Sequence, residues 1–338
     1  MIRRFALMAA AAMALLPAAS IAQAKEIVLY CSVDEEWCRA QSEAFTRETG
    51  INVLMTRKSS GETFAQIKAE LGQPRGDVWW GGTGDPHLQA AQEGLTEEYK
   101  SPLLAELQPW AVNQAETSGF RTVGIYAGAL GFGYNSTMIT ENPPACWKDL
   151  LDARFKDDIQ VANPNSSGTS YTMLATMVQL MGEDDAFGYL KSLHANINQY
   201  TKSGSAPIRA AATGESAIGI VFMHDAVAQS VGGAPIVTVA PCEGTGYEVG
   251  SMSLIKGGPN PESAKAWYDW ALTAKAQEIG ATAKSFQVPS NSNAATPPEA
   301  PKLADIKLID YDFAKFGSSE VRSALLARWD AEIGALPK

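Results

Sequence analysis

The chain has 338 residues, 27 Lys and Arg against 37 Asp and Glu, and a formal net charge of −10. That balance argues against nucleic acid or an anionic membrane as a partner, but a small anion held by local donors is still compatible with it. At this length two domains, each with a sizeable core, are expected.

Residues 1–24 read as a secretory leader. Arg3 and Arg4 form the basic end, Phe5–Leu16 is an apolar run too short to span a bilayer, and Ala22-Gln23-Ala24 is a small-residue cleavage site. The mature protein is therefore expected to begin at Lys25, to be soluble and to be periplasmic. It would be more acidic than the whole chain, because both leader arginines are lost. Four cysteines in an oxidising compartment point to disulfides. Of the three possible pairings, Cys31–Cys38 and Cys146–Cys242 are favoured. The first closes a short loop between a strand end and the next helix, and the second staples segments far apart in sequence. No C-x-x-C spacing is present, which disfavours zinc. Neither a cofactor nor a resident metal is expected.

Three strand–loop–helix units open the mature chain. Glu26–Tyr30 is a buried-strand run, Cys31-Ser32-Val33 a loop, and Asp34–Glu48 a helix with acids at its start and Gly50 at its stop. Ile51–Met55 is the second strand, followed by the hydroxyl-rich junction Lys58–Thr63 and a helix over Thr63–Leu71. Asp77–Trp80 is the third strand, followed by Gly81–Pro86 and a helix over His87–Glu93. Repeated units of this kind imply a parallel, helix-covered sheet whose ligands sit beyond the carboxyl ends of the strands.

Val123–Tyr134, apolar and punctuated by glycine, reads as a crossover into a second domain. Asn142–Asp149 is a turn leading into a short helix. The stretch Val161–Ser170 (VANPNSSGTS) then reads as a strand end, a turn at Asn163-Pro164-Asn165, and the start of a helix over Ser170–Gly182. Ser166 or Ser167 is its natural N-cap, Thr169 keeps a hydroxyl nearby, and Gly168 lets a ligand approach the backbone. Free N–H groups and the helix dipole make such a loop an anion site built from neutral donors.

Asp184–Leu193 is a helix, Gln199–Ser205 a polar loop, Ala206–Thr213 a helix and Ala217–Phe222 a strand. Met223-His224-Asp225 follows that strand directly, before a short helix over Ala226–Val231. Ile236–Ala240 is a strand, Pro241–Gly250 the return crossover, and Ser251–Ile255 rejoins the first domain. Glu262–Gly280 is one long helix, and Ser319–Ile333 is terminal and amphipathic. The expected architecture is two α/β lobes, residues 25–130 with 246–338 and residues 131–245, joined by two crossings around one cleft. That arrangement suits closure on a small molecule.

G-x-S-x-G, the Walker lysine motif and H-E-x-x-H are all absent, and Gly82-Thr83-Gly84 lacks the third glycine of a dinucleotide fingerprint. No catalysis is expected. His224, Asp225 and Glu248 offer acceptors that suit a polyhydroxylated ligand or a metal. His87 and His194 lie on helices and read as structural. Trp79 or Trp80, Trp37 and Tyr247 are candidates to stack on a sugar face, and Lys58 and Lys202 are the cations nearest the candidate loops.

The runs RKSSGETFAQIKAE, GDVWWGGTGDPHLQAA, GALGFGYN, NPNSSGTSY and FMHDA resemble family 1 extracellular solute-binding proteins of ABC importers. They are most similar to the branch with ferric, thiamine, phosphonate and sugar-phosphate binders. The resemblance implies the type 2 periplasmic binding protein fold, a monomer that works with a membrane permease, and a small anionic ligand. Ferric members carry adjacent tyrosines just after the second-lobe strand. Met223-His224-Asp225 stands at that position here, which argues against iron. By resemblance to hexose-phosphate binders, Ser59, Ser60, Thr83, Ser166, Ser167 and Thr169 are candidate contacts. Ser32, Gly168 and Lys202 complete the set, and His224, Asp225 and Glu248 would hold hydroxyls. A sugar phosphate is thus the expected ligand, with ferric or another metal ion, thiamine or a phosphonate as alternatives. A hydrogen bond to a charged group contributes roughly 1.5–3 kcal/mol, so four give about 6–12 before ordering costs, against about 8 for micromolar affinity. Neutral donors on the second lobe therefore suffice for the phosphate. Asp225 and Glu248, which would repel it, belong at the sugar end.

Overall fold

The computed structural model describes residues 25–337; the expected leader lies outside the described residues. The first units form as their pattern requires: β1 (Glu26–Cys31), α1 (Glu35–Thr49), β2 (Asn52–Arg57), α2 (Ser60–Ala69), β3 (Val78–Trp80) and α3 (Gly84–Gln92). Gly50, in the left-handed region at φ 73°, closes α1 by donating its N–H to Thr46. The second helix starts three residues earlier than the sequence predicts. Ser59 is its N-cap, and Glu62 in the first turn accepts the Ser59 N–H at 3.3 Å.

There follow α4 (Pro109–Thr117), the long β4 (Val123–Asn135), β5 (Ile159–Ala162), α5 (Gly168–Met181), α6 (Glu183–His194), β6 (Ile197–Thr201) and α7 (Ala206–Thr213). The expected polar loop from Gln199 is thus partly a strand. Ile197, Tyr200 and Thr201 favour extended structure, and β6 lies at the edge of the sheet, where polar side chains are tolerated. Next come β7 (Ile218–Phe222), α8 (Met223–Val231), β8 (Ile236–Val239) and β9 (Tyr247–Leu254). The helix expected over Ala226–Val231 therefore starts three residues earlier, and Met223-His224-Asp225 is its first turn. The expected long helix is two, α9 (Pro261–Ala271) and α10 (Ala274–Thr282). Thr273 interrupts it as an N-cap, its hydroxyl accepting the Ala276 N–H at 3.2 Å. The two-residue β10 (Val288–Pro289), α11 (Phe313–Phe316) and α12 (Ser319–Trp329) complete the chain.

The strands run in the order β2-β1-β3-β9-β4-β7-β5-β6, with β8 and β10 also on β4. β1 pairs in parallel with β2 and β3, as βαβ units demand. The first expected crossing, Val123–Tyr134, lies within β4, and the second, Pro241–Gly250, joins the sheet from Tyr247, where β9 begins. β4 pairs with β9 and β10 through its first half and with β7 and β8 through its second. The two lobes are therefore joined by adjacent antiparallel strands rather than by free linkers.

Each lobe has its own core. Ile27, Leu29, Phe45, Trp80 and Trp267 anchor the first, and Phe132, Trp147, Ile159, Tyr171 and Phe187 the second. Each such fully buried side chain contributes about 1.5–3 kcal/mol relative to exposure. The end of the chain departs from the expected division. Tyr311, Phe316, Leu325, Trp329 and Ile333, which the sequence reading groups with the first lobe, lie in the second lobe's core. Among the described residues no helix is long and apolar enough to cross a membrane.

The disulfides are Cys31–Cys38 and Cys146–Cys242, separated by 7 and 96 residues in sequence. Reduction is expected to lower stability by about 2–5 kcal/mol, measured as denaturant unfolding with and without reductant. No thiol should titrate in the native oxidised protein; four free thiols would contradict the pairing.

Candidate functional site

Six helices point their N-termini into one cleft. The capping residues Asp34 (α1), Ser59 (α2), Thr83 (α3), Ser167 (α5), Ser205 (α7) and Phe222 (α8) all line it. Each end brings the positive pole of its helix dipole toward the cleft. The space between the loops is small and polar, and it opens to solvent at its mouth.

One wall is made of hydroxyls. Ser59 Oγ and Thr83 Oγ1 are buried and find no hydrogen-bond partner among the described residues, an expensive arrangement unless a ligand uses them. Ser60 Oγ accepts the Thr83 N–H at 3.3 Å, and Ser32 Oγ takes the Trp79 indole N–H at 2.9 Å. The two left-handed glycines Gly81 and Gly82 (φ 81° and 85°) bend the chain there, and the Gly82 N–H reaches Tyr126 Oη at 3.0 Å. From the second lobe, Gly168 lies against Thr83. A Cβ built on it would come within 1.9 Å of Thr83 Oγ1, and one on Gly204 within 2.1 Å of Thr169 Oγ1. Only glycine fits either place without displacing a hydroxyl.

The same cleft holds His224 and Asp225, in the first turn of α8, and Glu248 of β9. His224 Nε2 is 3.7 Å from Asp225 Oδ1 and 3.8 Å from Glu248 Oε1, beyond direct hydrogen bonding. Burial pushes the imidazole down to about 4, against the opposing pull of Asp34. Burial, with repulsion from Asp34, lifts the Asp225 carboxyl well above the usual range. Burial does the same to Glu248, helped by Asp225 and Asp85. Burial thus works against the charged form of all three, while Arg209 and Arg57 pull the Asp225 carboxyl the other way. A neutral carboxyl both donates and accepts, which suits hydroxyl groups.

The lobes touch across the mouth of the cleft. Asp34 Oδ1 accepts from Ser205 Oγ at 2.9 Å and from Arg209 Nη1 at 3.2 Å. Arg57 Nη2 donates to Ser203 Oγ at 3.2 Å, and the Gly61 N–H donates to the Ser166 carbonyl at 3.0 Å.

The structure brings together all of the sequence-predicted candidates except Ser166 and Lys202. The Ser166 hydroxyl is engaged with the Asn163 and Lys202 carbonyls, and the Lys202 side chain is exposed. Lys58 bonds to Gln66 instead of reaching the cleft. The proposed sugar-stacking rings are also elsewhere. Trp79 stacks on His87 at 3.5 Å, Trp37 packs edge-on to Trp80, and Tyr247 contacts Phe313. Tyr126 and Phe222 are the cleft's aromatics. The cleft's cation is Arg57, one residue before the hydroxyl-rich junction from which Lys58 was chosen. Asp34 and Ser205 also had a signal, as the cap of an acidic helix and the last hydroxyl of a polar loop. Tyr126 and Gln287 had none.

Two α/β lobes closing on a cleft lined with helix N-termini define a binding protein for a small polar solute. Residues 83–316 match the model of the bacterial extracellular solute-binding proteins, and the chain belongs to that family. Such proteins carry solutes for importers and are not enzymes. A protein of Haemophilus influenzae described as uncharacterised is 44% identical over 312 residues, covering 91% of this chain and 90% of its own. Among solved structures, the periplasmic binding protein AfuA from Actinobacillus pleuropneumoniae, with exogenous fructose-6-phosphate bound, is 43% identical with a TM-score of 0.90. That match covers 92% of this chain and 99% of AfuA. The periplasmic binding protein P5PA is 39% identical with a TM-score of 0.89, covering 91% and 99%.

Proposed function

We propose that this protein binds a sugar phosphate between its lobes in the periplasm and delivers it, as a monomer, to the membrane permease of an ABC importer. The observation that carries the reading is the double lining of the cleft. Helix N-termini with the unpartnered Ser59 and Thr83 hydroxyls supply one kind of group, and the buried His224, Asp225 and Glu248, two of them in the first turn of α8, supply the other. The first set suits a phosphate, which when fully ionised accepts hydrogen bonds and donates none, and which gains from the dipoles. The second suits ring hydroxyls, which both donate and accept. The likeness to a fructose-6-phosphate-bound relative at 43% identity supports the same assignment. The acidic overall charge speaks against nucleic acid as a partner.

A thermal-shift panel tests the class of ligand. Hexose phosphates are expected to raise the unfolding temperature, because a ligand present at about 100 times its Kd adds about 2.7 kcal/mol. Thiamine, a phosphonate and ferric salts are expected to leave it unchanged. A shift with ferric ion alone would establish the metal reading instead.

A further inference from the structure

We infer that Gln287, which no motif singles out, is a specificity-determining residue that reads a hydroxyl at the sugar end of the cleft. The inference rests on the sugar-phosphate reading above. In the β4–β9 register Gly128 faces Glu248. In the β4–β10 register Val288 faces Ala127 and Pro289 faces Tyr126. Continued by one residue, that register sets Gln287 opposite Gly128. Glu248, Gly128 and Gln287 thus form one rung across three strands, and side chains on a rung share a face. Both flanking side chains line the cleft.

The middle of the rung is bare. A Cβ on Gly128 would lie 2.5 Å from His224 Nδ1 and 3.5 Å from Glu248 Oε1, so glycine is what lets the imidazole settle over the strand between them. His224 Nδ1 and Gln287 Oε1 are both buried polar atoms without a partner among the described residues. Exchange of the amide's oxygen and nitrogen leaves the same polar end unmet. The backbone on either side of Gln287 is fixed, with the Ser285 N–H on the Gly280 carbonyl at 2.9 Å and the Ser290 N–H on the Ile125 carbonyl at 3.2 Å. The main chain that carries Gln287 is therefore anchored, and its amide has unused hydrogen-bonding capacity on the sheet face that carries Glu248. A site with buried polar groups discriminates strongly against ligands that cannot satisfy them.

The test couples a change in the protein to a change in the ligand. Calorimetry would compare fructose 6-phosphate and its monodeoxy analogues on wild type and on Gln287→Leu. On wild type, one analogue is expected to bind roughly 10- to 100-fold more weakly than the parent, and on Gln287→Leu that penalty should largely vanish. Equal penalties for every analogue on both proteins would overturn the inference. Should Gln287→Leu not fold, Gln287→Asn, which withdraws the amide by one methylene, is expected to lose the same penalty. Failure of wild type to bind any hexose phosphate would overturn the underlying reading as well, and is seen before any variant is made.

Discussion

Gly61→Ala is expected to weaken ligand binding by roughly 100-fold while leaving the unliganded protein as stable as wild type. Gly61 lies in the first turn of α2 on one lobe, and its N–H meets the Ser166 carbonyl of the other. A Cβ there would come within 2.1 Å of the Asn165 carbonyl oxygen and 2.9 Å of that of Ser166. Both are backbone atoms at the turn before α5, so no side chain can swing aside. The methyl group would collide where the lobes meet, and lobes standing apart would not feel it. Closure would stop about 1 Å short, stretching the hydrogen bonds that a ligand makes to the α5 end while it is held from α2 and α3. Two charge-assisted bonds lost amount to about 3 kcal/mol, hence the hundredfold. Calorimetry gives the affinity and thermal unfolding without ligand the stability. Undiminished binding would mean that the lobes need not meet at Gly61 for the ligand to be held.

Asp225→Ala and Glu248→Ala are each expected to reduce sugar-phosphate affinity by roughly 30- to 1000-fold, or about 2–4 kcal/mol. Each carboxyl can serve two ring hydroxyls, and each is buried, so its removal leaves those hydroxyls facing a dry pocket. Neither is needed for the fold, since burial works against the charged form of both. Ser167→Ala should cost less than either, because the backbone N–H groups of α5 stay in place. The check is calorimetry on the three variants, with unliganded unfolding as the control. Wild-type affinity in both carboxyl variants would remove the sugar end from these residues.

Much of this site is legible along the chain because its parts are local. Short apolar runs followed by Ser, Thr and Gly announce strand–loop–helix junctions, and the loops of a parallel sheet gather at one edge, so the loops that carry Ser59, Thr83 and Ser167 could be placed at one cleft, and the family resemblance singled out those residues as contacts. Residues whose role depends on distant pairing were not legible. Gln287 reaches the cleft because two residues of β10 lie against β4. Arg209 acts through Asp34, which is far away in sequence. Tyr311 and Trp329 enter the second lobe's core although the chain has by then returned to the first. Local chemistry also misdirects where two readings compete. Lys202 and Ser166 have the right composition for an anion loop, but one points to solvent and the other spends its hydroxyl on holding that loop together.

The most direct measurement is calorimetric titration of the purified, ligand-stripped protein with fructose 6-phosphate. The cleft described here predicts one molecule bound per chain with a Kd of about 1 μM or tighter, equivalent to about 8 kcal/mol. An absence of binding to fructose 6-phosphate and other hexose phosphates, with ferric ion or a phosphonate bound tightly instead, would contradict it.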